Sequence, residues 1–149
     1  MKIVGVIGAG KADNELSELA YAVGRILAKE GAILINGGLG GVMEASSKGA
    51  FEEGGLTVGI LPSHNKEDAN PYVKIPLATG LGEMRNALIV RSADALIAIG
   101  GEYGTLSEIA FALKTGKKVV GLKTWDIEGV IKANSPEEAV QIALNLNGR

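Results

Sequence analysis

Five short apolar runs rich in β-branched residues constrain this chain more than any other feature. They are 2–8 (KIVGVIG), 32–36 (AILIN), 56–61 (LTVGIL), 94–99 (DALIAI) and 118–122 (KVVGL). Each is near-continuous rather than alternating, the pattern of strands buried on both faces of a parallel sheet. Weaker strand signals lie at 72–78 and 130–132. Helical patterns fill the intervals. Residues 13–30 open on Asp13 as N-cap, carry Leu16, Leu19, Ala20, Val23, Ile26 and Leu27 on one stripe, and stop at Gly31. Further helices are expected at 41–53, 83–92 and 104–115, the last ended by Gly116. Ser135-Pro136-Glu137-Glu138 reads as N-cap, N1 proline and acidic first turn of a final helix over roughly 136–146.

This alternation predicts an α/β fold. Its form is a Rossmann-like, doubly wound parallel sheet in three layers, α/β/α, with right-handed crossovers. With 149 residues, 46% of them hydrophobic, one domain over 1–149 is expected, and no internal repeat is visible. A net charge of −2 and the absence of polybasic runs argue against nucleic-acid and membrane surfaces. There is no cysteine and one histidine, so thiolate and histidine-rich metal sites are excluded and no metal is expected to be required. Met1 leads directly into the first strand and no apolar run reaches the roughly 20 residues of a membrane span, which makes a cytoplasmic protein the expectation.

Open α/β sheets bind ligands beyond the carboxyl ends of their strands. Three glycine-rich turns fall there: Gly8-Ala9-Gly10, Gly37-Gly38-Leu39-Gly40-Gly41, and Gly100-Gly101-Glu102-Tyr103-Gly104-Thr105. Each precedes a helix and can aim backbone N–H groups and a positive dipole end at an anion. The first lacks the full GxGxxG, since Asp13 occupies the last glycine's place, and strand two ends in Asn36 without an acid to grip a ribose, so binding in the NAD manner is not expected. No G-K-[ST] element is present. The alternative reading of these glycines is tight turns and close helix–strand packing. Arg85 lies near a helix N-terminus, poor dipole placement for a cation, which a ligand phosphate or carboxylate would explain. A solvated surface arginine is the alternative. Arg91 lies on the same helix.

The segment GEMRNALIVRSADALIAIGGEYGTLSEIAFAL resembles the lysine-decarboxylase-like proteins, which include the LOG family of cytokinin-activating phosphoribohydrolases and the molybdenum cofactor carrier proteins. Arg85, Arg91, Asp94, Gly104, Thr105 and Glu108 fall in the family's register, and NGGLGGVMEASSKGA (36–50) resembles its glycine-rich loop after strand two. The resemblance implies that Gly100, Gly101, Gly104 and Thr105 hold a phosphate and that Arg85 and Glu108 form a catalytic pair. Gly8, Gly10, Gly37, Gly38, Gly40, Tyr103 and Arg91 would line the ligand. The implied chemistry is cleavage of the N-glycosidic bond of a nucleoside 5′-monophosphate to free base and ribose 5-phosphate, not lysine decarboxylation. A carboxylate can stabilise the positive charge that builds on the sugar, and an arginine can orient substrate or stabilise the leaving base.

The family's Pro-Gly-Gly is Gly100-Gly101-Glu102 here, and the box around Arg85 is altered, with Glu83-Met84 before it and Asn86 after. Glu102 is expected to point away from a phosphate. These departures place the chain nearer the short, carrier-like branch. The second reading is therefore a non-catalytic carrier or sensor of a phosphorylated ligand such as molybdenum cofactor, with no cofactor required for catalysis. The resemblance also implies a homodimer or higher homo-oligomer with the Arg85 helix near the contact. His64 reads as an exposed loop residue, 62–71 as a mobile lid, and Trp125 as a core residue.

Overall fold

A computed structural model describes residues 1–145 of the chain. Seven strands form one sheet: β1 (Ile3–Gly8), β2 (Ile33–Asn36), β3 (Thr57–Leu61), β4 (Ile75–Ala78), β5 (Ala95–Ile99), β6 (Lys118–Leu122) and β7 (Ile131–Lys132). Their order is β4-β3-β2-β1-β5-β6-β7, and every pairing is parallel. Among the described residues the α-helices are α1 (Asn14–Lys29), α2 (Val42–Glu52), α3 (Asn86–Ser92), α4 (Tyr103–Lys114) and α5 (Pro136–Ala143). The α/β, doubly wound, three-layer architecture read from the apolar runs is the one observed.

The central strands send alternate residues into two cores, as the period of two requires. On β5, Ala95, Ile97 and Ile99 face the layer of α1, α2 and α5, whereas Leu96 and Ala98 face α3 and α4. Because both faces are covered, all five β5 residues are buried and apolar. The α1–α2 contact is made by glycines. A Cβ on Gly24 would lie 1.9 Å from the Ser46 carbonyl oxygen, and one on Gly49 would lie 2.1 Å from that of Tyr21.

Local signals set most boundaries. The Asp13 side chain accepts from Leu16 N at 2.9 Å, and the Ser135 hydroxyl accepts from Glu138 N. Gly31 and Gly116 end their helices with φ of 78° and 81°. The expected helix at 83–92 is instead a 3-10 turn (Gly82–Arg85) leading into α3. The weak strand at 72–78 shortens to four residues, with Pro76 inside it, because β4 is an edge. The final helix ends at Ala143, and residue 146 of the expected range lies outside the described residues. Among the described residues no helix is long and apolar enough to cross a membrane.

Candidate functional site

Strand order reverses between β1 and β5, so the carboxyl ends of β2, β1 and β5 are neighbours and their three glycine-rich turns lie side by side. A cavity of about 630 Å³ opens there. From the β1 end it is lined by Gly8, Ala9, Gly10 and Lys11, from the β2 side by Gly37 and Met43, and from α4 by Glu102, Gly104, Thr105 and Glu108. Glu83, Arg85, Asn86 and Ile89 close the remaining side. The first N–H groups of α4, those of Tyr103, Gly104 and Thr105, have no acceptor within the helix.

The turn after β2 is held by buried amides. Asn36, 1% exposed, donates from Nδ2 to Met43 O (3.0 Å), Ser46 Oγ (3.2 Å) and Ser47 Oγ (2.9 Å), and its Oδ1 accepts from Gly38 N at 2.8 Å. From the outside, Asn70 N donates to Gly38 O (2.8 Å) and Asn70 Nδ2 to Leu39 O (2.9 Å). Gly41, at φ 65°, passes so close to the β1 turn that a Cβ would lie 2.2 Å from Ala9 O, and Val42 N donates to that same oxygen. The 62–71 loop, read from sequence as a mobile lid, is thus pinned by Asn70 and carries a 3-10 turn at Lys66–Asp68.

Arg85 is not a solvated surface residue. It is 8% exposed and donates from Nε to Ile60 O (2.8 Å), from Nη2 to Gly37 O (3.4 Å) and from Nη1 to Asn86 Oδ1. A Cβ on Gly37 would collide with its Nη2 at 2.6 Å, so glycine there makes room for the guanidinium. Glu108 is 9% exposed and lines the same cavity, and its carboxyl makes no hydrogen bond among the described residues. Burial raises its pKa to about 7, against the opposing pull of the Arg85 charge. Burial likewise lowers the Arg85 pKa, opposed by Glu108 and Glu83. The two are not in direct ion-pair contact: the ion pairs among the described residues are Arg25–Glu53, Lys123–Glu15 and Lys132–Asp126.

A second cavity of about 220 Å³ lies between α3 and α4. Met84, Ala87, Val90 and Phe111 form its apolar wall. Glu83, Asn86 and Glu108 line both cavities, and Ser107 belongs to the second alone.

The structure therefore brings together Gly8, Gly10, Gly37, Arg85, Gly104, Thr105 and Glu108. It does not bring the other expected site residues to the cavity wall. Gly38 and Gly40 belong to the second turn, and Gly100 and Gly101 to the third, without lining the cavity. Arg91 is exposed and sits 5.5 Å over the Phe111 ring. Tyr103 is 80% exposed and stacks on Trp125 at 6.2 Å. Trp125, expected in the core, is only half-buried, and its Nε1 donates to Glu102 O at 3.1 Å. Glu102 is exposed, as expected, yet still reaches the cavity's edge, and His64 is exposed. Lys11, Glu83 and Asn86 were missed by sequence reasoning. Lys11 directly follows Gly10, and the other two flank Arg85, so adjacency to the motifs was the available signal.

Residues 1–147 match the SLOG cluster4 family. An uncharacterised protein of Archaeoglobus fulgidus is 54% identical over 143 residues, covering 95% of this chain and 94% of its own. The molybdenum cofactor binding protein of Rippkaea orientalis superposes with a TM-score of 0.92 at 40% identity, over 97% of this chain and 96% of that one. A cytokinin riboside 5′-monophosphate phosphoribohydrolase of Mycobacterium marinum is 33% identical over 120 residues, 74% of this chain but 64% of the enzyme.

Proposed function

Because this chain belongs to the SLOG cluster4 family, we propose that its larger cavity binds a small phosphorylated, nucleotide-like ligand and holds it without turnover, as a carrier or sensor does. The observation that carries the reading is the convergence on one cavity of two glycine turns, the free N–H groups that start α4, and two cations, Lys11 and Arg85. Free amides at a helix start suit a phosphate, and about 630 Å³ suits a mononucleotide or a pterin phosphate. Holding rather than hydrolysis is favoured by how Arg85 is used. Its hydrogen bonds to Ile60 O, Gly37 O and Asn86 Oδ1 make it a strut between the β2 turn, β3 and α3, which leaves fewer donors for a leaving group.

A molybdenum cofactor-type ligand fits this chemistry. Its phosphate would meet the α4 N-terminus and Lys11, and with no cysteine in the chain the protein supplies no thiolate to the metal. The resemblance to the Rippkaea protein extends over nearly the whole of both chains.

Hydrolysis of a nucleoside 5′-monophosphate is the second reading, and Glu108 favours it. A carboxyl that titrates at about 7 inside the ligand cavity is suited to acid–base work at neutral pH. The two readings separate in one experiment. Wild type and Glu108→Ala are incubated with AMP, GMP, CMP, UMP and IMP, free base is followed by chromatography, and nucleotide binding is measured by calorimetry. The carrier reading expects saturable binding and no base. Base released by wild type and not by Glu108→Ala would replace it with the hydrolase.

A further inference from the structure

The two cavities differ in what they can accept. The larger is lined by Lys11, Arg85 and the N–H-rich start of α4, with Glu83, Glu102 and Glu108 at other points of its wall. The smaller has no cation in its wall. Its polar groups are two carboxylates, an amide and a hydroxyl, set against an apolar surface. An anionic group therefore finds cations and free N–H donors in one cavity and neither in the other. The two meet at Glu83, Asn86 and Glu108, so a single molecule can occupy both.

Glu108 gives the junction its character. It is 9% exposed, faces both cavities, and its carboxyl has no hydrogen-bond partner among the described residues. An ionised carboxylate is acceptor-only and takes two parallel N–H donors in one plane. The neighbouring amide complements it. Asn86 Oδ1 is taken by Arg85 Nη1, which leaves the Asn86 Nδ2 donors for an oxo group. The Ser107 hydroxyl donates to Gly104 O at 2.7 Å, so it offers only lone pairs.

We propose that the smaller cavity is the subsite for the ligand's ring, and that Glu108 and Asn86 recognise a heterocycle presenting adjacent ring N–H and amino donors beside an oxo group, the edge shared by guanine and pterins. This rests on the phosphorylated-ligand reading of the larger cavity and gives the ligand a direction: phosphate at the glycine turns, ring between α3 and α4. Adenine fits poorly, because its ring nitrogen at that edge is a lone pair facing a carboxylate. Hypoxanthine keeps the N–H and the oxo group but lacks the amino donor.

The test uses four probes, ribose 5-phosphate, GMP, IMP and AMP, titrated by calorimetry into wild type, Glu108→Gln and Ala87→Trp. The last fills the smaller cavity from a half-buried helix position, and circular dichroism and thermal melts check that each variant folds. GMP is expected to bind wild type at least about tenfold tighter than ribose 5-phosphate, the value of a hydrogen bond to a charged group, with IMP next and AMP last. Glu108→Gln should erase the preference of GMP over IMP, and Ala87→Trp should bring the GMP to ribose 5-phosphate ratio close to one. Binding of ribose 5-phosphate with no gain for GMP overturns the ring subsite alone, as does a GMP gain that survives Ala87→Trp. Failure of every probe to bind wild type overturns the reading of the larger cavity as well.

Discussion

The glycine-rich turns after β2 and after β5 look alike in sequence and are built in opposite ways. In the first, two amides spend their hydrogen-bonding groups on the loop: Asn36 from beneath and Asn70 from outside fix Gly38 and Leu39, and only Gly37 reaches the cavity. In the second, the backbone is anchored at its ends, where Gly100 O accepts from Thr124 Oγ1 (2.6 Å) and Glu102 O accepts from Trp125 Nε1. The first N–H groups of α4 are left without acceptors there among the described residues. Glycine packs closely in both turns, Gly38 against Leu61 and Gly101 against Thr105, but only the second leads into free helix donors. A satisfied loop makes a wall and an unsatisfied one makes a receptor.

The sharpest way to break this contrast is at Asn36. Replacing it with leucine strands Gly38 N and removes the amide donor shared by Met43 O, Ser46 Oγ and Ser47 Oγ, all within a buried pocket. A loss of roughly 3 kcal/mol is expected in urea denaturation, from several unsatisfied buried groups. The residue that ends β5 is Ile99, which has no amide to strand in this way.

Glu108→Gln sharpens the comparison from the receptor side. The folded-state pKa of Glu108 is raised from 4.5 to about 7. Below pH 4.5 the folded and unfolded chains are both protonated there and nothing is lost. Between 4.5 and 7 the unfolded chain ionises first, so stability falls as pH rises, and above 7 the whole penalty is present. Glutamine carries none of it. Relative to wild type, the variant should gain roughly 2 kcal/mol between pH 4 and pH 8 by denaturant titration. That is of the order of the shift itself, which is already net of the Arg85 attraction.

Tyr103→Ala should do least. The ring is 80% exposed, and its stacking on Trp125 is worth a few tenths of a kcal/mol to about 1 at a surface. A melting temperature within about 3 °C of wild type is expected, and a larger drop would mean that the β5 turn is as tightly built as the β2 turn.

Much of this was legible in the residues, and the gaps have causes. The apolar runs fix the strands because burial on both faces demands them, and Asp13 and Ser135 announce helices through local chemistry that needs no tertiary partner. Gly8, Gly37, Gly104 and Thr105 share one cavity because strand ends converge at the reversal of strand order. The inequality of the turns was not legible. Asn70 holds a carbonyl 31 residues away, and nothing beside it in the chain marks that role. Arg91 shares a helix with Arg85, but the 3-10 turn ahead of α3 sends only Arg85 inward to Ile60 O, while Arg91 settles over Phe111. Trp125 went to the half-buried rim because its indole N–H found Glu102 O there, a partner that the apolar core does not provide.

The crossing of α1 and α2 has a consequence for how far such a chain can drift. With carbonyl oxygens 1.9 Å and 2.1 Å from where side chains would begin, positions 24 and 49 admit no other amino acid while the helices keep this spacing. Both belong to the layer against which the β1 and β2 turns are set. The two positions are therefore gatekeepers of lineage: a descendant can exchange the ligand-facing residues one at a time, but leaving glycine at either crossing point means rebuilding the half of the molecule on which those residues stand.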